Sequence, residues 1–352
     1  VDAWVADPTA ATATYGNISN WDVSTVTDMS GLFRDKTNFN DDISAWDVSN
    51  VTNMSIMFYE TAAFNQNLNS WNVSNVTDMA YMFFKASTFN ENISSWDVSN
   101  VTNMVQMFFG ATAFNQNIGS WNVSNVTNMN TMFAEAIAFN QNIGAWDVSN
   151  VTDISGMFSG AIAFNQDIGA WNVSSVTNMS AMFINAISFN QDLDSWDVSN
   201  VTNMSGMFFS AIAFNENISS WDVSNVTIMS QMFNGATAFN QNLIGWCVTN
   251  ITTEPDSFST NSALEEANKP VWGTCPSTLT PITQANIQTA VNEWIADPTA
   301  AEATYGNIKD WDVSAVTDMS YLFEDKTNFN DDISAWDVSN VTNMSYMFYG
   351  VA

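Results

Sequence analysis

A fixed period governs this chain. Residues 95–104 read S-W-D-V-S-N-V-T-N-M, and the tryptophan of that phrase stands at Trp21, Trp46, Trp71, Trp96, Trp121, Trp146, Trp171, Trp196, Trp221 and Trp246, always 25 residues apart. It returns at Trp311 and Trp336. Self-similarity at this spacing marks a solenoid, in which each repeat contacts its neighbours. One repeat buries too little apolar surface to offset the ordering of its own backbone, so the array is the folding unit.

Each position within a repeat can be assigned a task. In residues 89–113, Ile93, Trp96, Val98 and Val101 follow an apolar spacing close to that of leucine-rich repeats. The W-D-V alternation predicts a short strand with Trp96 and Val98 inward and Asp97 outward. Val101, Met104, Met107, Phe108 and Ala111 then step by three and four, which predicts one face of a short helix. Asn103 and its equivalents Asp28, Asn53, Asp78, Asn128 and Asp153 suit the N-cap or first turn of that helix. Ile228 interrupts the column and leaves Thr227 to cap in its place. The expected fold is therefore α/β: a right-handed, leucine-rich-repeat-like solenoid with one short strand and one short helix per 25-residue coil, capped and repeated in tandem. The alternative is a parallel β-helix, in which M-x-x-M-F forms a strand.

A second, longer repeat sets the domain plan. Residues 291–308 match residues 1–18 at an offset of 290, and the match runs on to the end of the chain. Ile287, Ala290, Val291, Trp294 and Ile295 make one apolar helical face, with Pro281 or Thr283 near its start. The plan reads as an N-terminal cap at 1–20, entered part-way through its helix, and coils at 21–250. A C-terminal cap follows at 251–275, where Glu254 and Ser257 replace the methionines and Pro255 breaks the helical pattern. A short stiff linker at 276–281 leads to a second N-terminal cap at 282–310 and the first coils of the next unit at 311–352. Tandem units so closely joined are expected to form a rod.

Composition removes whole classes of function. Six Lys or Arg stand against 36 Asp or Glu, with no His, for a net charge of −30. Nucleic acid and anionic membrane surfaces both need a basic footprint, so neither is expected as a partner. The charge fits solubility, a salty medium, or Ca²⁺ on the acidic faces, and no other cofactor is expected. No stretch approaches the unbroken apolar run of a membrane span, so no membrane insertion is expected in this segment. Val1 is not an initiator methionine and no signal peptide is visible, which makes the chain a piece of something longer. Without His there can be no Ser-His-Asp triad, and two cysteines nearly exclude a zinc or redox centre. Cys247 and Cys275 read as a disulfide pinning the end of the first coil series in an oxidising compartment; two free thiols of an intracellular chain are the alternative.

The motif F-N-[QED]-[ND]-[IL]-x-x-W-[DN]-V-S-N-V-T-[ND]-M-x-x-M-F-x-x-A, which covers nearly all of the chain outside 251–281, resembles the BspA-like bacterial surface protein repeat. The same repeat type occurs in mycoplasma lipoproteins and in protist and algal surface proteins. The resemblance implies an extracellular or cell-surface solenoid with adhesive or structural roles. It carries no catalytic residues over to this chain.

Three repeated constellations could carry chemistry. The first is the column after tryptophan: Asp22, Asp47, Asn72, Asp97, Asn122, Asp147, Asn172, Asp197 and Asp222. Its Asp/Asn alternation relieves repulsion between stacked like charges or records a 50-residue duplication, and it could also serve as a ligand face for cations or sugars. The second is a set of about nineteen N-x-[ST] sequons. Asn72, Asn122 and Asn172 fall on the expected outward strand face, every second coil; Asn50, Asn75, Asn100, Asn125, Asn150, Asn200, Asn225, Asn250 and Asn340 lie just past it. These asparagines also suit turns and caps, and glycans on every coil would collide, so only a subset is expected to be occupied. The third is Phe-Asn, as in Phe64-Asn65 and Phe114-Asn115, which reads as a stacked Phe column with an inward Asn ladder bonding turn backbones. The methionines read as core filler.

No coil breaks the pattern with clustered polar residues, so the sequence points away from an enzyme. It points to a structural element of a surface fibre that associates with itself, head-to-tail or laterally. An adhesin for a protein or glycan ligand is the alternative. A lattice binding ice or mineral through the Ser, Thr and Asp rows is a third class.

Overall fold

A computed structural model describes residues 1–276 and 279–351. The chain divides into two compact units, Val1–Cys275 and Pro276–Ala352.

In the first unit the repeats stack in register, but neither the strand nor the helix expected in each coil forms among the described residues. The α/β solenoid and its β-helix alternative are both overturned. Each coil is instead a succession of tight turns. Along one coil, Trp96 N–H donates to Ile93 O at 3.2 Å, Val101 to Val98 at 2.9 Å, Met107 to Met104 at 3.2 Å, Phe109 to Gln106 at 3.1 Å and Ala111 to Phe108 at 3.0 Å. The intervening N–H groups cross to the next coil: Gln106 to Asn130 O at 3.0 Å, Phe108 to Met132 O at 2.9 Å and Gly110 to Ala134 O at 2.7 Å. From 106 to 111 alternate backbone donors thus close turns and join coils, which satisfies this buried backbone without a continuous ladder. Strand-like pairing shrinks to isolated parallel bridges, from Asp28↔Asn53 to Asn203↔Ile228.

Left-handed residues are the physical reason. Gln106 has φ 53° and Gly110 has φ 64°; Tyr81 and Lys85 repeat this at 58° and 52°, and Thr131 and Glu135 at 49° and 57°. An α-helix needs an unbroken right-handed run, and two left-handed residues four apart end it. The inward spacing survives because overlapping four-residue β-turns still bring Met104, Met107, Phe108 and Ala111 to the interior, where all are buried. The W-D-V segment likewise keeps Trp96 and Val98 inside and Asp97 outside. It turns on itself rather than pairing with its neighbours, so no strand results. The 103 column caps turns, not helices: Asn53 Oδ1 accepts Ser55 N–H at 2.9 Å and Asp78 Oδ1 accepts Ala80 N–H at 2.8 Å. Among the described residues Thr227 has no helix to cap, and its hydroxyl donates to Thr202 O like the other members of the threonine row.

The core is a bundle of columns. Phe108 lies 4.0 Å from Phe114 within a coil and 5.7 Å from Phe133 across coils, ring centroid to centroid. Trp96 stacks on Trp121 at 6.3 Å. Each tryptophan also bonds backwards, as when Trp121 Nε1 donates to Ile93 O at 3.1 Å.

Irregular pieces close the ends. Helix α1 (Asp2–Ala6) leads into α2 (Pro8–Tyr15), whose N-cap Asp7 accepts from Thr9 and Ala10 N–H with Pro8 at the first position. Trp4 Nε1 donates to Asp41 Oδ2 at 2.9 Å and fixes α1 to the coils. At the other end, Phe233 N–H donates to Phe258 O and Gly235 N–H to Thr260 O, so residues 251–275 continue the stack. The ring column stops there, because Phe258 turns edge-on to both Phe233 and Trp272. Cys247 and Cys275 are joined as a disulfide.

In the second unit, α3 (Ile287–Ala296) buries Ile287, Ala290, Val291 and Trp294, with Ile295 half-buried, and α4 (Pro298–Tyr305) follows. Trp294 Nε1 donates to Asp331 Oδ2 at 3.0 Å, repeating the Trp4 anchor 290 residues on. Gln284 Oε1 accepts from Thr317 N–H and Asp318 N–H, both at 2.9 Å. Thr317 N–H would otherwise seek a preceding coil, so Gln284 caps the stack there, and Gln288 Nε2 adds a bond to Leu322 O at 3.1 Å. Residues 277 and 278 of the expected linker lie outside the described residues.

Candidate functional site

Among the described residues the buried core is apolar apart from Thr61 and Ser155, so the polar groups within reach of a ligand lie on the outward rows. The row after tryptophan is exposed throughout, from Asp22 and Asp47 to Asp222. Each member accepts a hydrogen bond from the serine two residues on: Ser149 N–H reaches Asp147 Oδ1 at 3.1 Å and its hydroxyl reaches the same oxygen at 2.6 Å. Asn72, Asn122 and Asn172 take the same posture, accepting from Ser74, Ser124 and Ser174 N–H at 3.2 Å. The serine hydroxyl first, then its N–H, hold Asp22, Asp47, Asp97, Asp147 and Asp197 below the usual carboxylate range.

A second exposed row holds Asn50, Asn75, Asn100, Asn125, Asn150, Asn200, Asn225, Asn250 and, in the second unit, Asn340. Here the side-chain nitrogen is engaged. Asn100 Nδ2 donates to Ser74 O at 2.7 Å and Asn125 Nδ2 to Ser99 O at 2.7 Å. The same bond to the preceding coil recurs at Asn50, Asn75, Asn150, Asn200, Asn225, Asn250 and Asn340. These side chains are rungs between coils.

Two further ladders flank them. Thr52, Thr77, Thr102 and Thr127 are exposed, and each hydroxyl donates to the carbonyl of the threonine one coil earlier at 3.2–3.4 Å. In the Phe-Asn pair, the asparagine Oδ1 accepts the N–H of its equivalent one coil on, as from Asn65 to Asn40 and from Asn90 to Asn65. These asparagines are half-buried at most rather than inward. Sequence reasoning missed the threonine ladder, although the unbroken recurrence of Thr at that position was its signal.

It also missed an apolar row. Ile137, Ile162, Ile187 and Ile212 occupy one position in four successive coils and are 40–46% exposed. The same position elsewhere carries Ala62, Ser87, Thr112 and Thr237.

Among the described residues these rows run along the coils and do not converge on a common pocket, although Asp22 borders a groove. Among the described residues no cluster of three or more Asp, Glu or Cys is arranged to hold a metal ion, and no helix is long and apolar enough to cross a membrane. An open groove at one end of the first unit is lined by Trp4, Tyr15, Trp21 and Asp22. At the other end, Glu254 and Glu266 in a shallow groove are tied to Lys269, with Glu254 Oε1 2.7 Å from its Nζ.

Stacked coils with equivalent side chains in rows define a repeat protein whose chemistry is distributed along its length. Over residues 8–112, 88–186, 160–272 and 295–352 the chain matches the family described as Mycoplasma protein of unknown function, DUF285. The chain belongs to that family. Among curated proteins none matches it.

Proposed function

We propose that this chain is a non-enzymatic module of an extracellular or cell-surface fibre, associating with copies of itself. One observation carries the reading: the outward rows repeat with the same hydrogen bonds coil after coil, and the whole series begins again after 290 residues. Rows whose hydrogen bonds recur from coil to coil suit a repetitive partner, and further copies of the module are the simplest such partner. The Cys247–Cys275 disulfide fits an oxidising compartment, and the resemblance to BspA-like surface repeats points the same way. Electron microscopy of native material tests it. Filaments with an axial repeat set by the 290-residue module support the fibre; dispersed particles at native concentration would sink it.

A second reading, an adhesin, is favoured by the isoleucine row, the one place where four coils share a side chain that the others lack. It expects that changing Ile137, Ile162, Ile187 and Ile212 to Ser abolishes binding to a protein-coated surface while leaving the fold intact. Unchanged binding would remove it.

A further inference from the structure

The two sequon rows are chemically different, and the difference selects sites for sugar. In the ladder row the amide must present its nitrogen to a carbonyl, as Asn100 does to Ser74 O and Asn150 to Ser124 O at 2.8 Å. In the row after tryptophan the amide must present its oxygen to a backbone N–H, as Asn72 does to Ser74 and Asn122 to Ser124. The nitrogen of Asn72, Asn122 and Asn172 therefore points into water, and it makes no hydrogen bond among the described residues. We propose that Asn72, Asn122 and Asn172 are N-glycosylation sites, spaced every second coil along one face, and that the ladder asparagines are not.

Transfer joins Nδ2 to the anomeric carbon of a sugar carried on a lipid diphosphate. The carbon–oxygen bond to the diphosphate breaks, the diphosphate leaves with the electron pair, and one amide proton is lost. At Asn72 this consumes a donor that bonds nothing and leaves the Oδ1 turn in place. At a ladder asparagine it leaves a single N–H to hold the rung, with the sugar pressed against the neighbouring coil. Alternate coils lie roughly 10 Å apart by the spacing of parallel backbones, which gives each glycan room that successive coils would deny it.

The criterion extends to two sequons outside the rows. Asn17 and Asn92 are exposed, accept from Ser19 and Ser94 N–H at 2.9 Å, and leave Nδ2 unbonded among the described residues. Asn217 is excluded because its Nδ2 donates to Asp194 Oδ1. The sequons Asn53, Asn178, Asn203 and Asn343 sit half-buried in the bridge column and are excluded by access.

The inference rests on the extracellular part of the proposed function and not on fibre formation. Its test is site mapping of native protein by enzymatic deglycosylation in ¹⁸O-water and peptide mass spectrometry. Heavy-oxygen aspartate at positions 72, 122 and 172, and its absence at 75, 100, 125 and 150, is the expected result. Label spread evenly over both rows, or none at the first three, overturns it. The Cys247–Cys275 cross-link in the same digest shows whether the oxidising location has failed as well. Two variants made in a secreting eukaryotic cell separate the roles. Ser74→Ala, which breaks the Asn72 sequon but keeps the backbone N–H that Asn72 Oδ1 accepts, should remove one glycan's mass and leave the melting temperature unchanged. Asn100→Gln should leave the mass of sugar unchanged and lower the melting temperature; the reverse pattern overturns the assignment.

Discussion

Beyond the first of each unit, each tryptophan of the column does two jobs: its ring fills the coil, and its indole N–H satisfies a buried carbonyl 28 residues earlier, as Trp121 does for Ile93. Trp121→Phe keeps most of the first and removes the second. The orphaned carbonyl alone should lower unfolding stability by about 1–3 kcal/mol, read as a reduced urea midpoint. An unchanged midpoint would show that the bond contributes nothing net. The serine-bonded aspartates allow a second test at this scale. Their folded pKa values lie below the unfolded value of about 3.9, so the stability they contribute is present above about pH 4 and is lost as pH falls through the folded values. Ser149→Ala should move the carboxyl titration of Asp147 upward, followed by ¹³C NMR. It should leave Asp197, whose partner is Ser199, where it was. A shift of both together would mean that charge along the row, and not the local turn, sets the value.

At the scale of the coil, the sequence discloses which side chains face inward but not the backbone that puts them there. Steps of three and four at Val101, Met104, Met107, Phe108 and Ala111 are common to a helix and to overlapping four-residue β-turns, so periodicity alone cannot separate them. What decides is the sign of φ at Gln106 and Gly110. Only Gly at the second position of the pair, and at Gly31, Gly156 and Gly206 in other coils, hinted at it. A helix and these turns predict opposite signs for one substitution. In a helix, Gln106→Gly would destabilise by about 1 kcal/mol. In a left-handed turn it removes a comparable strain and should be neutral or stabilising. Gln106→Pro should be strongly destabilising, since proline cannot reach φ 53° and lacks the N–H that bonds Asn130 O. Thermal unfolding of the pair reads both signs. The C-terminal piece allows a third comparison. The Cys247–Cys275 bridge closes 28 residues of chain that carry Phe258 and Trp272. Reducing it should lower stability by about 2–4 kcal/mol. Hydrogen exchange should quicken first at 251–275; uniform quickening along the unit would mean that the stack and its end unfold together.

For the molecule as a whole, the period was the most legible property, because a column works only if every coil has the same length. Trp96 stacks on Trp121, and Asn90 N–H donates to Asn65 Oδ1, only while 25 residues separate equivalents. Single coils can diverge, as Ile228 does in the bridge column, because each interface is secured by many bonds at once. A coil's length has no such tolerance. Contacts pass only between neighbours, so removing whole coils should leave the remaining interfaces as they were. Deleting residues 97–146 takes out two periods and joins Trp96 to Asp147, recreating the native W-D junction. That variant should fold, keep buried-tryptophan fluorescence, and unfold at a moderately lower denaturant concentration than the parent. Deleting 97–126 removes one period and five residues more, which throws every row beyond the junction out of step with every row before it. It should expose tryptophan and lose cooperative unfolding even though it removes less of the protein. If the shorter deletion were the better tolerated, stability would follow the amount of core retained and not the register of the columns.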